Sequence, residues 1–131
     1  MLAGQFCVRE CPSIHHDDSI RVAAERMVTA RADLLVVVDE ALHPIGLLTG
    51  RDLILEVMGG GHGAAATVET LLDDEPPTIL ESTSLGFALA RMYELCAQHM
   101  LVVQEDGQLV GVLHRDDALG RLGRSSAGLR A

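Results

Sequence analysis

Apolar residues recur at helical spacing in two separate stretches of the chain. Ile20, Ala23, Ala24, Met27 and Val28 make one stripe, and Leu85, Ala88, Leu89 and Met92 make a second; this is the spacing of an amphipathic helix with one buried face. Asp17-Asp18-Ser19 precedes the first stripe and Ser82-Thr83-Ser84 the second, which supplies N-cap oxygens in both places. After each stripe come two short apolar runs without polar interruption. Leu35 to Val38 and Pro44 to Leu48 flank the turn-like segment Asp39 to His43, and Met100 to Val103 and Leu109 to Leu113 flank Gln104 to Gln108. Runs of this length between turn residues predict hairpins, and their lack of alternation predicts strands covered on both faces. A short extended piece, Ser13-Ile14 or Thr78-Ile79, stands before each helix, and a second helix starts at Asp52 or Asp117. The predicted order is therefore β-α-β-β-α, twice.

The two copies align without a gap. Shifting the chain by 65 residues places 12–58 on 77–123, and thirteen of the 47 pairs are identical, among them Pro12/Pro77, Ser19/Ser84, Met27/Met92, Glu40/Glu105, Gly46/Gly111 and Asp52/Asp117. A repeated supersecondary unit of this size buries its open face against its copy. Between the copies, GGGHGAAA at 59–66 reads as a flexible connection followed by a short helical segment, VETLL, and the last eight residues read as a loose tail. The organisation expected is one module: copy one over 6–58, a Gly/Ala-rich linker at 59–67, copy two over 68–123 and a tail at 124–131.

Composition narrows the function. With 48% hydrophobic residues but only two Phe, one Tyr and no Trp among 131 residues, the core must be aliphatic. Ten basic against nineteen acidic residues give a net charge of −9, which repels a phosphate backbone and argues against nucleic acid as partner. The longest apolar runs fall far short of the roughly 20 residues that cross a bilayer, and the N-terminus MLAGQFCVRE lacks the basic and apolar regions of a secretory signal. The expectation is a cytoplasmic protein with no membrane partner, its three cysteines free thiols. Cys96, at helical spacing after Leu85, Leu89 and Met92, is expected as a small core residue.

The order helix, strand, strand, helix, the stretch V-E-T-L-L-x-x-x-P-P-T-I from Val68 to Ile79, and G-L-L-T-x-x-D from Gly46 to Asp52 together resemble a tandem pair of CBS (cystathionine beta-synthase) motifs. The resemblance covers roughly Phe6 to Gly123. It implies an α/β (α+β) fold of two β-α-β-β-α motifs packed through their sheets with pseudo-twofold symmetry. It also implies clefts that take AMP, ADP, ATP or S-adenosylmethionine as a regulatory ligand, assembly into a homodimer, an unknown regulated protein as partner, and no enzymatic chemistry or required cofactor.

The Thr49 to Asp52 spacing gives that expectation a physical basis. Both fall at a strand-to-helix turn, where unsatisfied backbone amides and the helix dipole favour a phosphate. The threonine hydroxyl can donate to a phosphate or ribose oxygen, and the aspartate can accept from both ribose hydroxyls. The competing reading is that Thr49 and Asp52 simply cap the second helix. In copy two Asp117 keeps the acid while His114 replaces the threonine, a departure from the family pattern that removes the hydroxyl from this cleft.

By position, the resemblance assigns base contacts to Ser13, Ile14, Thr78 and Ile79. It sets Leu34 and His99 where relatives often carry phosphate-binding basic residues; Leu34 has lost that capacity. Arg51 and Arg115 stand beside the motif and can reach phosphates, or are solvated helix-start residues.

Rival readings come from other constellations. Cys7, Cys11 and His15, spaced i, i+4, i+8 with His16-Asp17-Asp18 adjacent, are weak candidates for a metal site or a metal or redox sensor, although the spacing is not that of a zinc knuckle. A dimeric interaction or scaffold protein with vestigial nucleotide clefts is the other alternative. His114-Arg115-Asp116 resembles a kinase catalytic-loop triplet but lacks its remaining parts, and GGGHG has no following Lys-Ser/Thr, so neither motif carries chemistry.

Overall fold

The computed structural model of the chain describes residues 1–59, 61, 63–72 and 75–130, the side chains of 125–130 excepted. Gly60 and His62 of the expected linker, the acidic pair Asp73-Asp74 and Ala131 of the expected tail lie outside the described residues. In chain order the elements are α1 (Ala3–Phe6), β1 (Ser13–His15), α2 (Ile20–Ala30), β2 (Leu34–Val38), β3 (Pro44–Thr49), α3 (Gly50–Met58), a 3-10 turn (Val68–Leu71), β4 (Thr78–Leu80), α4 (Leu85–Glu94), β5 (His99–Val103), β6 (Leu109–His114) and α5 (Arg115–Arg130). The predicted β-α-β-β-α order is present twice. Two compact units result, one of Cys11–Pro76 and one of Met1–Glu10 with Pro77–Ala131.

Each unit holds a three-stranded sheet, β1-β2-β3 or β4-β5-β6, whose first pair is parallel and second antiparallel. The repeat persists in the register. Leu34 faces Thr49 as His99 faces His114, and both antiparallel pairs slip at the same place, between Val37 and Val38 and between Val102 and Val103. Ser19 Oγ accepts from Val22 N at 3.1 Å and Ser84 Oγ from Phe87 N at 3.2 Å, so the capping expected at α2 and α4 is present. Each sheet packs its helices around its own aliphatic core: Ile14, Met27, Leu35, Leu48 and Val68 in one unit, Ile79, Met92, Met100, Leu113 and Ala118 in the other.

Some elements depart from the pattern. β2 is buried along its whole length, but β3 alternates between buried and half-buried positions, so two-sided burial holds only in part. Cys96 is exposed rather than buried. α4 ends at Glu94, and Cys96 then takes a left-handed conformation (φ 54°) in which Ala97 N donates to Met92 O at 2.8 Å. Arg31, its counterpart in copy one, has φ 51° at the end of α2; a left-handed residue closing a helix turns the chain away and its side chain outward.

The backbone of 124–130 continues α5 rather than trailing as a loose tail. The segment has no proline and holds good helix formers in Ala127, Leu129 and Arg130. Part of the Gly/Ala stretch is likewise tied down: Ile20 N donates to Ala66 O at 2.9 Å and Arg21 N to Ala64 O at 3.0 Å. The first amides of a helix need acceptors from outside it, and these carbonyls supply them.

The segment preceding each copy folds with the other copy. In the second unit Leu2 bridges Ser84 and Val8 bridges Val112; in the first, Thr67 bridges Ser19. Positions 2 and 67 are 65 apart, as are 19 and 84, so the structural repeat starts ten residues earlier than the sequence identities show. The first ten residues are held by Ala3 N to Thr83 O at 2.8 Å, Gly4 N to Glu81 O at 3.0 Å and a reciprocal pair between Val8 and Val112 at 2.8 and 2.9 Å.

Candidate functional site

The chain turns from β3 into α3 at Thr49, which is extended (φ −105°, ψ 161°) and caps the helix. Its Oγ1 accepts from Asp52 N at 3.2 Å, and Asp52 Oδ2 accepts from Thr49 N at 2.8 Å. The two residues that the resemblance assigns to a ligand therefore first hold each other in a capping box. Capping does not exhaust them. The Thr49 hydroxyl still has its proton to donate, and the Asp52 carboxylate has a second oxygen. Gly50 N donates to Asp33 O at 2.9 Å, so two of the first three amides of α3 are satisfied internally, and an anion here depends more on side-chain cations than on the helix end. Arg51 is exposed beside it, while Leu34, the cross-strand partner of Thr49, is buried at 6% exposure and offers no charge.

The β6–α5 corner is built differently. Arg115 N donates to Gln98 O at 2.9 Å, the counterpart of Gly50 to Asp33. His99 and His114 face each other across the strands, their rings edge to face with centroids 4.9 Å apart. Arg115 lies with its guanidinium 5.1 Å from the centre of the Tyr93 ring, and its buried Nε has no hydrogen-bond partner among the described residues. Arg115 is thus half-buried, with its guanidinium set against an aromatic face. Gln98, His99, His114, Arg115, Asp116 and Asp117 line a cleft of about 240 Å³, so the structure gathers His99, His114, Arg115 and Asp117 at one site in the second unit. The role of Tyr93 was not legible in sequence because cation and ring are 22 residues apart in the chain.

The model for the CBS domain matches the chain twice, at residues 3–59 and 68–124. The chain belongs to the CBS domain family. An uncharacterised protein of Methanopyrus kandleri is 27% identical over 86 residues, 65% of this chain and 44% of its own length; the chain thus spans less than half of this relative. Among solved structures, a CBS domain protein of Pyrobaculum aerophilum complexed with AMP superposes with a TM-score of 0.78 at 23% identity, covering 89% of each chain. The CBS domain pair of protein MJ0100, in complex with 5-methylthioadenosine and S-adenosyl-L-methionine, superposes with a TM-score of 0.79 at 20% identity, covering 96% of this chain and 98% of that one. These likenesses show that the fold is that of a tandem CBS pair.

In the CBS motifs Ser13 and Thr78 are exposed at the starts of β1 and β4, while Ile14 and Ile79 are buried in the two cores. The Ser13 carbonyl accepts from Arg26 Nη1 at 2.9 Å. Cys7 packs on the core of the second unit and donates to Gly4 O at 3.6 Å. Burial raises the Cys7 and Cys11 thiols above the ordinary range, and an undissociated thiol is a weak nucleophile and metal ligand. Among the described residues, His15 is grouped with His16, Asp17 and Glu40, and neither cysteine belongs to that group.

His16 shows why the group matters electrostatically. Its Nε2 lies 2.8 Å from Glu40 Oε1, and this hydrogen bond, reinforced by Glu69 and Asp17, raises the imidazole above the ordinary histidine value while Glu40 is lowered. A raised histidine contributes stability that is complete below its unfolded value and lost as pH rises through the folded one. A lowered glutamate contributes above its unfolded value and loses it as pH falls through the folded one. The pair therefore acts between those two folded values. In metal-free protein the His16 ring protons, followed by NMR, should titrate above the ordinary histidine midpoint of about 6.5. Glu40→Gln should bring that midpoint down; no movement would mean the contact is not made in solution.

Proposed function

We propose that this CBS pair is a regulatory module that binds an adenine nucleotide or related adenosyl ligand, of the AMP, ADP, ATP or S-adenosylmethionine kind, and passes its occupancy to a partner protein. The observation that carries the reading is the Thr49–Asp52 pair, a fixed hydroxyl and carboxylate on a strand-to-helix corner with one donor and one acceptor oxygen not used in capping. Asp52 takes the ribose hydroxyls and Thr49 a phosphate or ribose oxygen. Asp117 takes the ribose in the second motif, where His99, His114 and Arg115 supply the phosphate-facing groups. Ser13, Ile14, Thr78 and Ile79 flank the base. The AMP and S-adenosyl-L-methionine complexes of the structural neighbours support the ligand class.

Signalling follows from linkage: a ligand that prefers one arrangement of the chain shifts the population toward it, by no more than its difference in affinity. The module performs no chemistry of its own and needs no cofactor. It works as a homodimer through α3, whose Ile54, Leu55, Val57 and Met58 are 62%, 58%, 75% and 80% exposed, an apolar face that calls for cover. A reducing, cytoplasmic setting suits the free thiols Cys7, Cys11 and Cys96.

The test is thermal unfolding with AMP, ADP, ATP, NADH and S-adenosylmethionine in turn, on the parent, on Asp52→Asn and on Asp117→Asn. In Asp52→Asn an asparagine oxygen can still accept from Thr49 N, so the unliganded midpoint should change little. A ligand at about 100 times its dissociation constant adds about 2.7 kcal/mol to the folded state per site; Asp52→Asn should remove the share of the first motif and Asp117→Asn that of the second. Should none of the five raise the midpoint at millimolar concentration, the sensor reading fails and a scaffold role with vestigial sites replaces it.

A further inference from the structure

We infer that His15, His16 and Glu40 form a binding site for a divalent first-row transition-metal cation, with Asp17 and Glu69 orienting the imidazoles. β1 ends at His15, the chain turns through His16 and Asp17, and Glu40 comes from the turn between β2 and β3. Each of His15, His16, Asp17 and Glu40 brings a ligand atom within 4.8 Å of the others. Glu40 Oε1 lies 2.8 Å from His16 Nε2 and 3.8 Å from His15 Nε2. Donors about 2.1 Å from a tetrahedral zinc are about 3.4 Å apart, so each imidazole–Glu40 pair stands within about half an ångström of that spacing, and the whole group lies within 4.8 Å.

The opposite edges of the rings carry the arrangement a metal-binding histidine requires, a carboxylate on its other nitrogen. Asp17 Oδ1 and Glu69 Oε2 lie 3.2 and 3.3 Å from His16 Nδ1, and Asp17 Oδ2 is 4.0 Å from His15 Nδ1. Binding through Nε2 puts the His15 proton on Nδ1, facing Asp17 Oδ2 in place of the present 3.2 Å contact from Asp17 N. Two imidazoles and one carboxylate select zinc, nickel, cobalt or copper over magnesium or calcium, which prefer oxygen donors. The remaining coordination positions go to water.

The second motif provides an internal control. Positions 15, 16, 17 and 40 correspond there to Leu80, Glu81, Ser82 and Glu105, and the same turn folds around an open cleft lined by all four, without an imidazole. The fold therefore does not require the two histidines at this turn. The site is also distinct from the nucleotide corner. His15 pairs with Val38 at one end of β2 and Thr49 pairs with Leu34 at the other, about 13 Å along the strand at roughly 3.3 Å per residue.

Chelator-treated protein titrated calorimetrically with ZnCl2, NiCl2 or CoCl2 at pH 7.5 should bind one equivalent, raise the unfolding midpoint and change the visible absorption of Co²⁺; MgCl2 should do none of these. Glu40→Gln, an exposed position whose replacement leaves folding intact, and His16→Gln should each abolish the one-equivalent signal, and Asp17→Asn should weaken it about tenfold or more. His43→Gln and a variant with all three cysteines replaced by serine should bind as the parent does. Absence of binding in the parent, binding unchanged in Glu40→Gln, or binding lost with the cysteines would each overturn the site.

Discussion

Gly111→Ala should destabilise the chain by about 1–3 kcal/mol, the range for forcing an added methyl group into packed structure. A Cβ at Gly111 would stand 2.5 Å from the Val8 carbonyl oxygen and 2.8 Å from Cys7 Sγ. The obstacle is backbone, so relief requires the Val8 bridge to open, with loss of its two hydrogen bonds to Val112. Gly46 is the same position in the first motif, but there the Cβ would meet the Leu72 methyl groups at 2.6 and 2.9 Å. A leucine side chain can turn away for about 0.5–1.5 kcal/mol, so Gly46→Ala should cost less. Urea unfolding of the two variants measures the difference. Faster labelling of the half-buried Cys7 by a thiol reagent in Gly111→Ala would locate the damage in the N-terminal segment. Equal losses at both positions, with Cys7 no more reactive, would mean that the first ten residues are not held as described.

Leu113→Ala carries the other large effect. Leu113 has no exposed surface and packs among Ile79, Met92, Met100 and Ala118. Truncating a buried leucine removes its transfer free energy and leaves a cavity, together about 2–5 kcal/mol, a large share of the roughly 5–15 kcal/mol by which a domain is stable. Leu113 pairs with Met100, one residue before the His99–His114 pair, so the second corner should loosen as well. The denaturant midpoint reads the first effect. The second appears as broadening of the His99 and His114 ring signals in NMR. A loss below about 1 kcal/mol would show that the core closes over the gap.

The fold was legible because its signals are local. Helical stripes, capping serines and short apolar runs each reflect contacts within a few residues, and the 65-residue repeat reported two copies of one unit. Departures arose where backbone conformation or a distant partner decided the outcome. Cys96 has helical spacing from Met92, yet the left-handed turn after α4 places it outside. The Gly/Ala stretch looked free because nothing in its composition shows that Ala64 and Ala66 serve the first amides of α2. The candidate site divides in the same way. Thr49 and Asp52 are three residues apart and could be paired on paper, whereas Tyr93 beside Arg115, and Glu40 and Glu69 beside His16, required the folded chain.

By itself the sequence determined the family, the aliphatic core, the doubled β-α-β-β-α order and the strand-to-helix corner with its hydroxyl and carboxylate, because each depends on residue type at short, regular spacing. Only the tertiary structure decided that residues 1–10 complete the second unit and that 11–76 form the first. It alone placed Glu40 on His16 and gave the recurring glycines different neighbours, Leu72 for Gly46 and Val8 for Gly111. The physical reason is that these contacts join residues 24 to 104 positions apart, where chain pattern carries no signal and only the packed backbone brings the groups within reach.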